Sequence, residues 1–463
     1  MTEQLKNYYA SLAGKKVYFL GAGISHRALI ERFAKLGALV TLCDRKSEQQ
    51  LGEFGVSCRE WGVELQLGEG YLSRLREADI VFRTPGIDWT KPEIQDAIAA
   101  GVTITSEMES FFDYCPCRII AVTGSDGKTT TTTLIAKTLQ AQGFRVHLGG
   151  NIGIPLFPII DDVQAEDIAV VELSSFQLIS MRRSPDIAVV TNVTPNHLDH
   201  HKDMQEYVDA KRNILLYQGE NSVCVLNAVN DITRAMQADA KGEVRWFTRF
   251  RSVESGAYVD EAKQLHSVEN GSDRVIMDLN NIKLRGEHNK ENISTAWAAV
   301  KDLVSPETFA AVVKDFAGVE HRIEFVRELD GVQYYNDSIA SSPTRTIAGL
   351  RSFHESIVLI AGGYDKKISY APLAPEIAQR VRVLLLCGPT ADAIERELLA
   401  LDGYEGQVQI ERLADVPACV NRARELAKSG EVVFFSPASA SFDAYENFEV
   451  RGRHFKRLVS ELE

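Results

Sequence analysis

The residues best suited to chemistry stand together in one short segment, Val122-Thr123-Gly124-Ser125-Asp126-Gly127-Lys128-Thr129-Thr130. Glycines let backbone N–H groups point into a turn, a lysine can reach terminal phosphates, and a threonine hydroxyl can hold magnesium. The segment therefore predicts a loop that binds nucleotide phosphates together with Mg²⁺. Val122 stands where the usual pattern of this kind has a further glycine, so the loop is a shortened form. The alternative is an ordinary glycine turn that caps a helix.

Further reactive side chains follow two apolar segments downstream of this loop. Glu172 ends the run that starts at Ile168, and His197 comes soon after the run 187–192. Together they could ligate a divalent cation that bridges nucleotide phosphates, because hard carboxylate oxygens suit magnesium. The histidines at 197, 200 and 201 could instead indicate zinc, although no cysteine lies nearby.

The elements around these residues must be alternating strands and helices. The apolar run Ile119-Ile120-Ala121-Val122 predicts a buried strand before the loop, and the pattern through Leu139 predicts a helix after it. Ligands of open α/β sheets bind at the edge where the carboxyl ends of the strands meet. We therefore expect the loop, Glu172 and His197 to lie along one edge of a mostly parallel sheet.

The chain starts with a β-α-β pattern of the nucleotide-binding kind. Gly21 and Gly23 follow the first strand, and Asp44 stands at the distance, roughly 20 residues, where a ribose-binding acid is found. A dinucleotide site would need a third glycine where His26 stands, so the fingerprint is incomplete. The turn Thr84-Pro85-Gly86 follows another strand and adds a second candidate binding segment. We expect a domain for a nucleotide-like group, the alternative being a scaffold without a ligand.

Strands and helices alternate again towards the C-terminus, which predicts a second doubly wound sheet. The fold class is therefore α/β with three domains. We expect a Rossmann-like N-terminal domain over 1–106, a central P-loop ATPase-like domain with a mostly parallel sheet over 107–318, and a Rossmann-like C-terminal domain over 319–463.

Composition limits the class of protein. The chain of 463 residues exceeds the ~250–300 residues that one hydrophobic core supports. It has no apolar run of the ~18 residues that a membrane span requires and no visible secretory signal, so we expect a cytoplasmic protein. A net charge of −13 disfavours binding to nucleic acid, and seven scattered cysteines argue against a disulfide framework.

Several motifs occur in an order that resembles one protein family. They are the shortened phosphate loop, Gly-Asn-Ile-Gly from 150, Glu-Leu-Ser-Ser-Phe-Gln from 172, Asn-Val-Thr-Pro-Asn-His-Leu-Asp-His from 192, His-Asn-Lys-Glu-Asn from 288, His-Arg from 321 and Asn-Asp-Ser from 336. In this order they resemble the Mur ligases of peptidoglycan synthesis, over nearly the whole chain. The segment from Ser436, with Asn447-Phe448-Glu449 and Arg451-Gly452, is similar to the member of the family that adds D-glutamate.

The resemblance implies an ATP-dependent ligation. The terminal carboxylate of one substrate is phosphorylated to an acyl phosphate. The amine of the second substrate attacks this acyl phosphate, phosphate is expelled, and an amide is formed. The implied substrates are UDP-N-acetylmuramoyl-L-alanine and D-glutamate, with ADP and phosphate as further products. ATP and two Mg²⁺ ions are the implied cofactors, and we expect a monomer.

The resemblance also implies roles for individual residues. The implied catalytic residues are Lys128, Glu172, His197 and Lys211, and the implied metal ligands are Thr129, Glu172, His197 and Lys211 as a carbamate. ATP contacts are implied for Gly124, Ser125, Asp126, Gly127, Lys128, Thr129, Thr130, Asn289, Asn292, Arg322 and Asp337. Contacts with the UDP substrate are implied for Ile24, Ser25, Asp44, Arg45, Thr84, Pro85, Gly86 and Asn151, and contacts with D-glutamate for Lys366, Ser441, Phe442 and Phe448.

Two of these residues also have simpler interpretations. Lys211 could be an exposed helix lysine, and Asn289 could be the N-cap of its helix. One motif departs from the family pattern, because many members continue Asn-Asp-Ser with a lysine where this chain has Ile339. We expect Ser341, Ser342 or Arg345 to take the place of that lysine.

Other functions fit parts of the pattern. Another Mur ligase or a folylpolyglutamate synthase would perform the same chemistry on another substrate, and the residues around Lys366 and Ser441 would distinguish them. A P-loop ATPase that drives the assembly of partners would hydrolyse ATP without an amino acid. An NAD-dependent dehydrogenase would need a glycine at the position of His26.

Overall fold

The computed structural model describes residues 1–195, 201–284 and 286–463. Its strands form three sheets of five, nine and six strands, and the predicted α/β fold with mostly parallel sheets is confirmed. The chain divides into two compact units, one of Met1–Asn280 with Lys290–Val313 and the other of Asn281–Asn289 with Lys314–Glu463. The boundaries at 106 and 318 stay a prediction. No helix of the described residues is long and apolar enough to cross a membrane.

The first sheet is wholly parallel, in the order β3-β2-β1-β4-β5. Its strands are β1 (Lys16–Leu20), β2 (Leu39–Asp44), β3 (Glu64–Leu67), β4 (Ile80–Arg83) and β5 (Thr103–Thr105). The helices of this part are α1 (Glu3–Ser11), α2 (Ile24–Lys35), α3 (Glu48–Leu51), α4 (Glu53–Glu60), α5 (Pro92–Ala99) and α6 (Glu107–Tyr114). Because β2, β1 and β4 are neighbours, the turns that follow them meet at one edge of the sheet.

The second sheet has the order β14-β13-β12-β11-β10-β9-β6-β8-β7, parallel from β7 to β12 with an antiparallel end. Its strands are β6 (Arg118–Thr123), β7 (Val146–Gly150), β8 (Ile168–Glu172), β9 (Ile187–Val190), β10 (Val223–Asn227), β11 (Glu243–Thr248), β12 (Gly256–Val259), β13 (Gln264–Glu269) and β14 (Ser272–Asp278). The associated helices are α7 (Lys128–Gln142), α8 (Ser175–Leu178), α9 (Met204–Leu216), α10 (Asp231–Ala235), α11 (His288–Val300) and α12 (Pro306–Asp315). The strand β6 is flanked by β8 and β9, and its register places Val122 beside Glu172.

One continuous hydrophobic core joins the first two sheets within the first unit. It includes Phe19 and Phe33 from the first sheet region and Leu156 and Ala169 from the second. The carboxylate of Glu107 crosses the junction, where it accepts hydrogen bonds from the backbone N–H groups of Leu156 and Phe157, both at 2.7 Å. The first two sheets are therefore packed together rather than tethered.

The third sheet has the order β15-β16-β20-β17-β18-β19, parallel except at β15. Its strands are β15 (Glu324–Leu329), β16 (Val332–Asn336), β17 (Ile357–Ala361), β18 (Val381–Leu386), β19 (Gln409–Arg412) and β20 (Val432–Phe435). The helices are α13 (Pro343–Leu350), α14 (Ala374–Arg380), α15 (Ala391–Leu399), α16 (Val416–Leu426) and α17 (Phe448–Glu461). Alternate residues of β17 enter different cores, since Leu359 and Ala361 pack on one face and Val358 and Ile360 on the other. Both faces of this sheet are therefore covered, as a doubly wound fold requires.

Short 3-10 helices complete the described secondary structure, at Leu75–Glu77, Phe157–Asp162, Met236–Asp239 and Ala371–Leu373. All seven cysteines are free thiols, and six of them are buried.

Candidate active site

The phosphate loop connects β6 to α7 and requires glycine at two positions. Gly124 has φ +146° and Gly127 has φ +79°, which other residues rarely adopt. A Cβ at Gly124 would overlap the side chain of Thr191, and one at Gly127 would overlap the amide of Asn292. The segment after β9 supports the loop, because the N–H of Ser125 donates to the carbonyl of Asn192 at 2.9 Å. Gly127 is also the N-cap residue of α7, and the loop is held in place by the segment after β9 and by Asn292.

Two lysines converge behind this loop. Lys128 Nζ donates to the carbonyl oxygens of Gly124 and Ser125, at 2.9 and 3.0 Å, and Lys211 Nζ donates to that of Gly124 at 2.8 Å. Lys211 is only 1% exposed, so the interpretation as an exposed helix lysine is wrong. Burial, with repulsion from Lys128, holds the pKa of Lys211 well below its usual value. Lys211 lies on the buried face of α9, and its Nζ atom reaches Thr123 Oγ1 at the end of β6 at 3.5 Å.

Glu172 brings a carboxylate to the same edge. It ends β8, is 1% exposed, and accepts a hydrogen bond from Asn151 Nδ2 on Oε1 at 2.7 Å. Its Oε2 atom is buried and has no hydrogen-bond partner among the described residues. An orphaned, hard carboxylate oxygen beside a phosphate loop fits a magnesium ligand. Thr129, in the first turn of α7, is half-buried, and His197 lies outside the described residues.

His201 belongs to a buried hydrogen-bond network that the sequence did not reveal. Ser175 Oγ lies 2.9 Å from His201 Nε2, and His201 Nδ1 lies 3.2 Å from Glu206 Oε2. The ring of Phe176 stacks on the imidazole at 5.1 Å. Within residues 1–195, 201–284 and 286–463, no group of three or more His, Cys, Asp or Glu side chains is suited to a metal. The other two histidines of the zinc alternative, His197 and His200, lie outside these ranges.

The predicted UDP-binding segments lie at the carboxyl edge of the first sheet. Ile24 and Ser25 begin α2, Asp44 ends β2 with Arg45 after it, and Thr84-Pro85-Gly86 follows β4. Asp44 also closes the first turn, since its two oxygens accept from the N–H groups of Ala22 and Lys46 at 2.8 and 2.9 Å. The structure therefore brings these segments together on three neighbouring strands.

His26 occupies the position of the missing third glycine and is buried. Its Nδ1 atom lies 2.9 Å from the carbonyl oxygen of Gly21, and burial lowers its pKa to about 4. The imidazole thus fills the space beneath the turn, which agrees with the incomplete dinucleotide fingerprint.

Arg83 links the first sheet to the helix that follows Glu172. It is 2% exposed, and it donates to the carbonyl of Ile87 at 2.7 Å, to that of Phe176 at 3.0 Å, and to Ser180 Oγ at 3.2 Å. The turn at 84–86 and the helix α8 are held by one guanidinium. No local pattern in the sequence distinguishes this arginine from an exposed one.

The helix α11 carries two candidate adenine contacts. Asn289 and Asn292 are both buried, at 5% and 6% exposure. Asn289 is the second residue of the helix, so the interpretation as its N-cap is wrong. Asn292 lies against the phosphate loop, with Oδ1 3.4 Å from Thr131 Oγ1.

The second unit carries the remaining candidates. Ser441 is 2% exposed, whereas Phe442 is 64% exposed and contacts Tyr364 edge-on at 5.9 Å between ring centroids. Lys366 Nζ donates to Ser341 Oγ at 3.3 Å. Phe448 begins α17, and its carbonyl accepts from Ser338 Oγ at 2.8 Å. Lys366 thus lies on the loop after β17, Ser441 and Phe442 lie on the segment after β20, and Phe448 is the first residue of α17.

Asp337 and Arg322 have different surroundings. Asp337 is 3% exposed, and burial raises its pKa from 3.8 to about 7. Its oxygens accept from the N–H of Ile323 at 3.2 Å and from Ser436 Oγ at 2.7 Å. Arg322 is half-buried and stands between two residues with positive φ, His321 at 65° and Ile323 at 44°. Asp337 therefore fixes the backbone that presents Arg322.

Comparisons with known proteins cover all three sheets. Residues 15–106 match the model of the Mur ligase MurD-like N-terminal domain, residues 122–300 that of the Mur ligase middle domain, and residues 321–439 that of the Mur ligase glutamate ligase domain. Two solved structures share the fold. MurF from Acinetobacter baumannii matches with a TM-score of 0.61 and 15% identity over 96% of this chain and 93% of its own. UDP-N-acetylmuramate-alanine ligase MurC from Thermotoga maritima matches with a TM-score of 0.57 and 18% identity over 97% of this chain and 100% of its own.

Curated relatives match over the full length. A protein of Acetivibrio thermocellus is 48% identical and one of Clostridium botulinum strain Alaska E43 is 46% identical, each over 100% of both chains. A third, from Clostridium perfringens strain 13, is 44% identical over 100% of both chains. All three are named UDP-N-acetylmuramoylalanine–D-glutamate ligase. With this identity over the whole length, the chain belongs to the Mur ligases and, within them, to the UDP-N-acetylmuramoylalanine–D-glutamate ligase family.

Proposed function

We propose that this chain joins D-glutamate to UDP-N-acetylmuramoyl-L-alanine, with ATP cleaved to ADP and phosphate. The observation that carries the proposal is the arrangement at the edge of the second sheet. There, Lys128 and Lys211 meet at Gly124, and Glu172 presents an unpaired oxygen on the neighbouring strand. Such an edge can bring a phosphate donor and a carboxylate acceptor together despite their like charges.

The reaction runs in two chemical stages. First, an oxygen of the substrate carboxylate attacks the γ-phosphorus of ATP, the bond to the β-γ bridging oxygen breaks, and an acyl phosphate and ADP result. Second, the uncharged amine of D-glutamate attacks the acyl carbon, and the tetrahedral intermediate expels phosphate and loses a proton to give the amide. Lys128, the first residue of α7, would supply positive charge where charge accumulates on the transferred phosphoryl group.

Magnesium would be held by Thr129, Glu172, His197 and Lys211, with two ions as the expected number. Bound metal would neutralise the phosphates and the carboxylate that receives the phosphoryl group. Two observations support a magnesium site at these residues: Glu172 Oε2 has no hydrogen-bond partner among the described residues, and the pKa of Lys211 is lowered well below its usual value. An uncharged Lys211 amine can add carbon dioxide and release a proton, and the resulting carbamate would offer an anionic oxygen ligand.

The substrates would be distributed over the predicted domains. The segments Ile24-Ser25, Asp44-Arg45 and Thr84-Pro85-Gly86 of the N-terminal domain, 1–106, would bind the uridine diphosphate. In the central domain, 107–318, Asn289 and Asn292 would contact adenine. Asn151 donates one N–H to Glu172 and would contact the UDP substrate through its second N–H or its Oδ1 atom.

The C-terminal domain, 319–463, would bind the amino acid through Lys366, Ser441, Phe442 and Phe448. Arg322 would contact the γ-phosphate end of ATP. Asp337 would reach the ribose only through the remaining lone pairs of its oxygens, because both already accept hydrogen bonds. We expect the enzyme to act as a cytoplasmic monomer.

The decisive experiment measures phosphate release from mixtures that lack one component. We expect release only when UDP-N-acetylmuramoyl-L-alanine, D-glutamate, ATP and Mg²⁺ are all present. Phosphate release that does not depend on D-glutamate would contradict the ligase proposal and support a P-loop ATPase instead. A preference for another amino acid or a folate substrate would move the chain to another activity within the wider ligase group.

A further inference from the structure

The turn that follows β16 lacks the family lysine but is bracketed by two other cations. Arg345, in the first turn of α13, donates from Nη1 to the carbonyl of Ile339 at 3.2 Å. Lys366 donates from the loop after β17 to Ser341 Oγ at 3.3 Å. The N–H of Ser341 donates to the same Ile339 carbonyl at 2.8 Å. One short turn therefore holds a guanidinium on one side and an ammonium on the other.

Both cations are exposed, and their charges act on each other. Partial burial, followed by repulsion from Arg345 and then from Arg451, lowers the pKa of Lys366. Among the described residues, no carboxylate forms an ion pair with Lys366 within 4.0 Å, although many other lysines and arginines have one. Cations gathered against their own repulsion, on loops at the carboxyl edge of a sheet, indicate an anionic ligand.

Arg451 fixes the loops that carry these groups. It is 2% exposed and donates to Ser338 O at 2.9 Å, Ser439 O at 3.0 Å and Ala440 O at 2.8 Å. The turn at 338–341 and the segment leading to Ser441 are therefore tied to one buried guanidinium. The loop after β17, which carries Lys366, is tied to the same segment because the N–H of Tyr364 donates to the Ala440 carbonyl at 3.0 Å.

We propose that Arg345 is a specificity-determining residue that, together with Lys366, binds a carboxylate of the incoming D-glutamate. This inference rests on the proposed function and adds to it a residue outside the D-glutamate contacts that the family resemblance implies. D-Glutamate carries two carboxylates, and a guanidinium can hold one of them through two parallel hydrogen bonds. Arg345 supplies the charge that a lysine at position 339 would bring in other members.

The experiment compares Arg345→Gln and Arg345→Lys with Arg351→Gln. Arg351 follows the last residue of α13 and is exposed, and it pairs with the largely buried Glu376, so Arg351→Gln controls for the loss of an arginine on the same helix away from the turn after β16. We expect Arg345→Gln to raise the KM for D-glutamate about 10- to 100-fold, as loss of a charged hydrogen bond does, and to leave the KM of ATP and of the UDP substrate unchanged. Arg345→Lys should recover part of the loss, and Arg351→Gln should behave as wild type.

Two amide analogues test the chemistry of the contact. D-Glutamine lacks the γ-carboxylate and D-isoglutamine lacks the α-carboxylate. The wild type should prefer D-glutamate to the analogue that lacks the carboxylate bound by Arg345. Arg345→Gln should lose this preference, which identifies the carboxylate. A KM for D-glutamate that is unchanged in Arg345→Gln overturns the inference, as does a rise confined to the KM of ATP, which would place Arg345 on a phosphate. A wild-type enzyme that ignores D-glutamate would instead refute the proposed function.

Discussion

Lys128 and Lys211 donate hydrogen bonds to one and the same acceptor, the carbonyl oxygen of Gly124, at 2.9 and 2.8 Å. Two ammonium groups on one oxygen repel each other, and Lys211 is also almost completely buried. Both effects favour an uncharged amine at Lys211. An uncharged amine is nucleophilic, which an exposed lysine at neutral pH is not.

The first prediction concerns this amine. Lys211→Ala should lose activity by about 100-fold or more, because the carbamate that would hold magnesium is removed, and millimolar formate or acetate should restore part of it by occupying the vacated position. Turnover measured with and without the added carboxylate checks this. Lys137→Ala, which removes an exposed lysine of α7, should remain active and insensitive to formate. An active Lys211→Ala enzyme without rescue would show that no carbamate acts there.

The second prediction concerns the backbone of the phosphate loop. Gly124→Ala should weaken ATP binding at least about 100-fold, because its φ of +146° and the overlap with Thr191 together cost about 3 kcal/mol. Calorimetric titration with ATP measures the effect. Gly219→Ala meets nothing within 4 Å and has ordinary φ, so it should bind ATP as wild type does. Equal affinities for the two variants would show that the loop does not hold the nucleotide.

The third prediction concerns the pH dependence of stability. Burial raises the pKa of Glu107 from 4.5 to about 7, against the opposing effect of two backbone N–H donors. The folded state therefore holds the proton more tightly than the unfolded state, so the stability contributed by Glu107 is complete below pH 4.5 and is lost as the pH rises to 7. A shift of this size corresponds to about 3 kcal/mol.

Glu107→Gln removes this titration and keeps an oxygen that can accept both hydrogen bonds. The wild type should therefore lose stability relative to the variant as the pH rises from 4.5 to 7. Above pH 7 the difference between their free energies of unfolding should stay constant. Urea unfolding at a series of pH values measures it. Glu93→Gln, at an exposed position of α5, should show no such trend. A pH-independent difference for Glu107→Gln would contradict the expected shift.

The fourth prediction concerns the contact of Arg83 with α8. Arg83→Gln should destabilise the protein by about 2–4 kcal/mol, since it leaves buried carbonyl groups without donors. Chemical denaturation gives the value. Arg76 pairs with Asp96 at 2.9 Å on the surface, where both side chains are more than half exposed, so Arg76→Gln should change stability by less than about 0.5 kcal/mol. Similar losses for both variants would mean that the buried contacts of Arg83 contribute little.

The sequence predicted the elements well because they depend on local patterns. The apolar runs of β1 and β17 end at Leu20 and Ala361, directly before glycine turns, and the phosphate loop is recognisable from spacing alone. The contacts of Arg83 with Phe176 and of Ser175 with His201 could not be predicted, because the partners are 93 and 26 positions apart in the chain. The burial of Lys211 was likewise invisible, since the direction in which a helix faces its sheet depends on tertiary packing.

The amide of Asn151 occupies one oxygen of Glu172 and leaves the other open. A carboxylate held in this way would offer a cation its unpaired oxygen. Calcium gains from carboxylates that bind through both oxygens, whereas magnesium requires compact octahedral ligation and accepts single oxygens readily. While Asn151 keeps this position, the ligation that Glu172 offers would suit magnesium better than calcium.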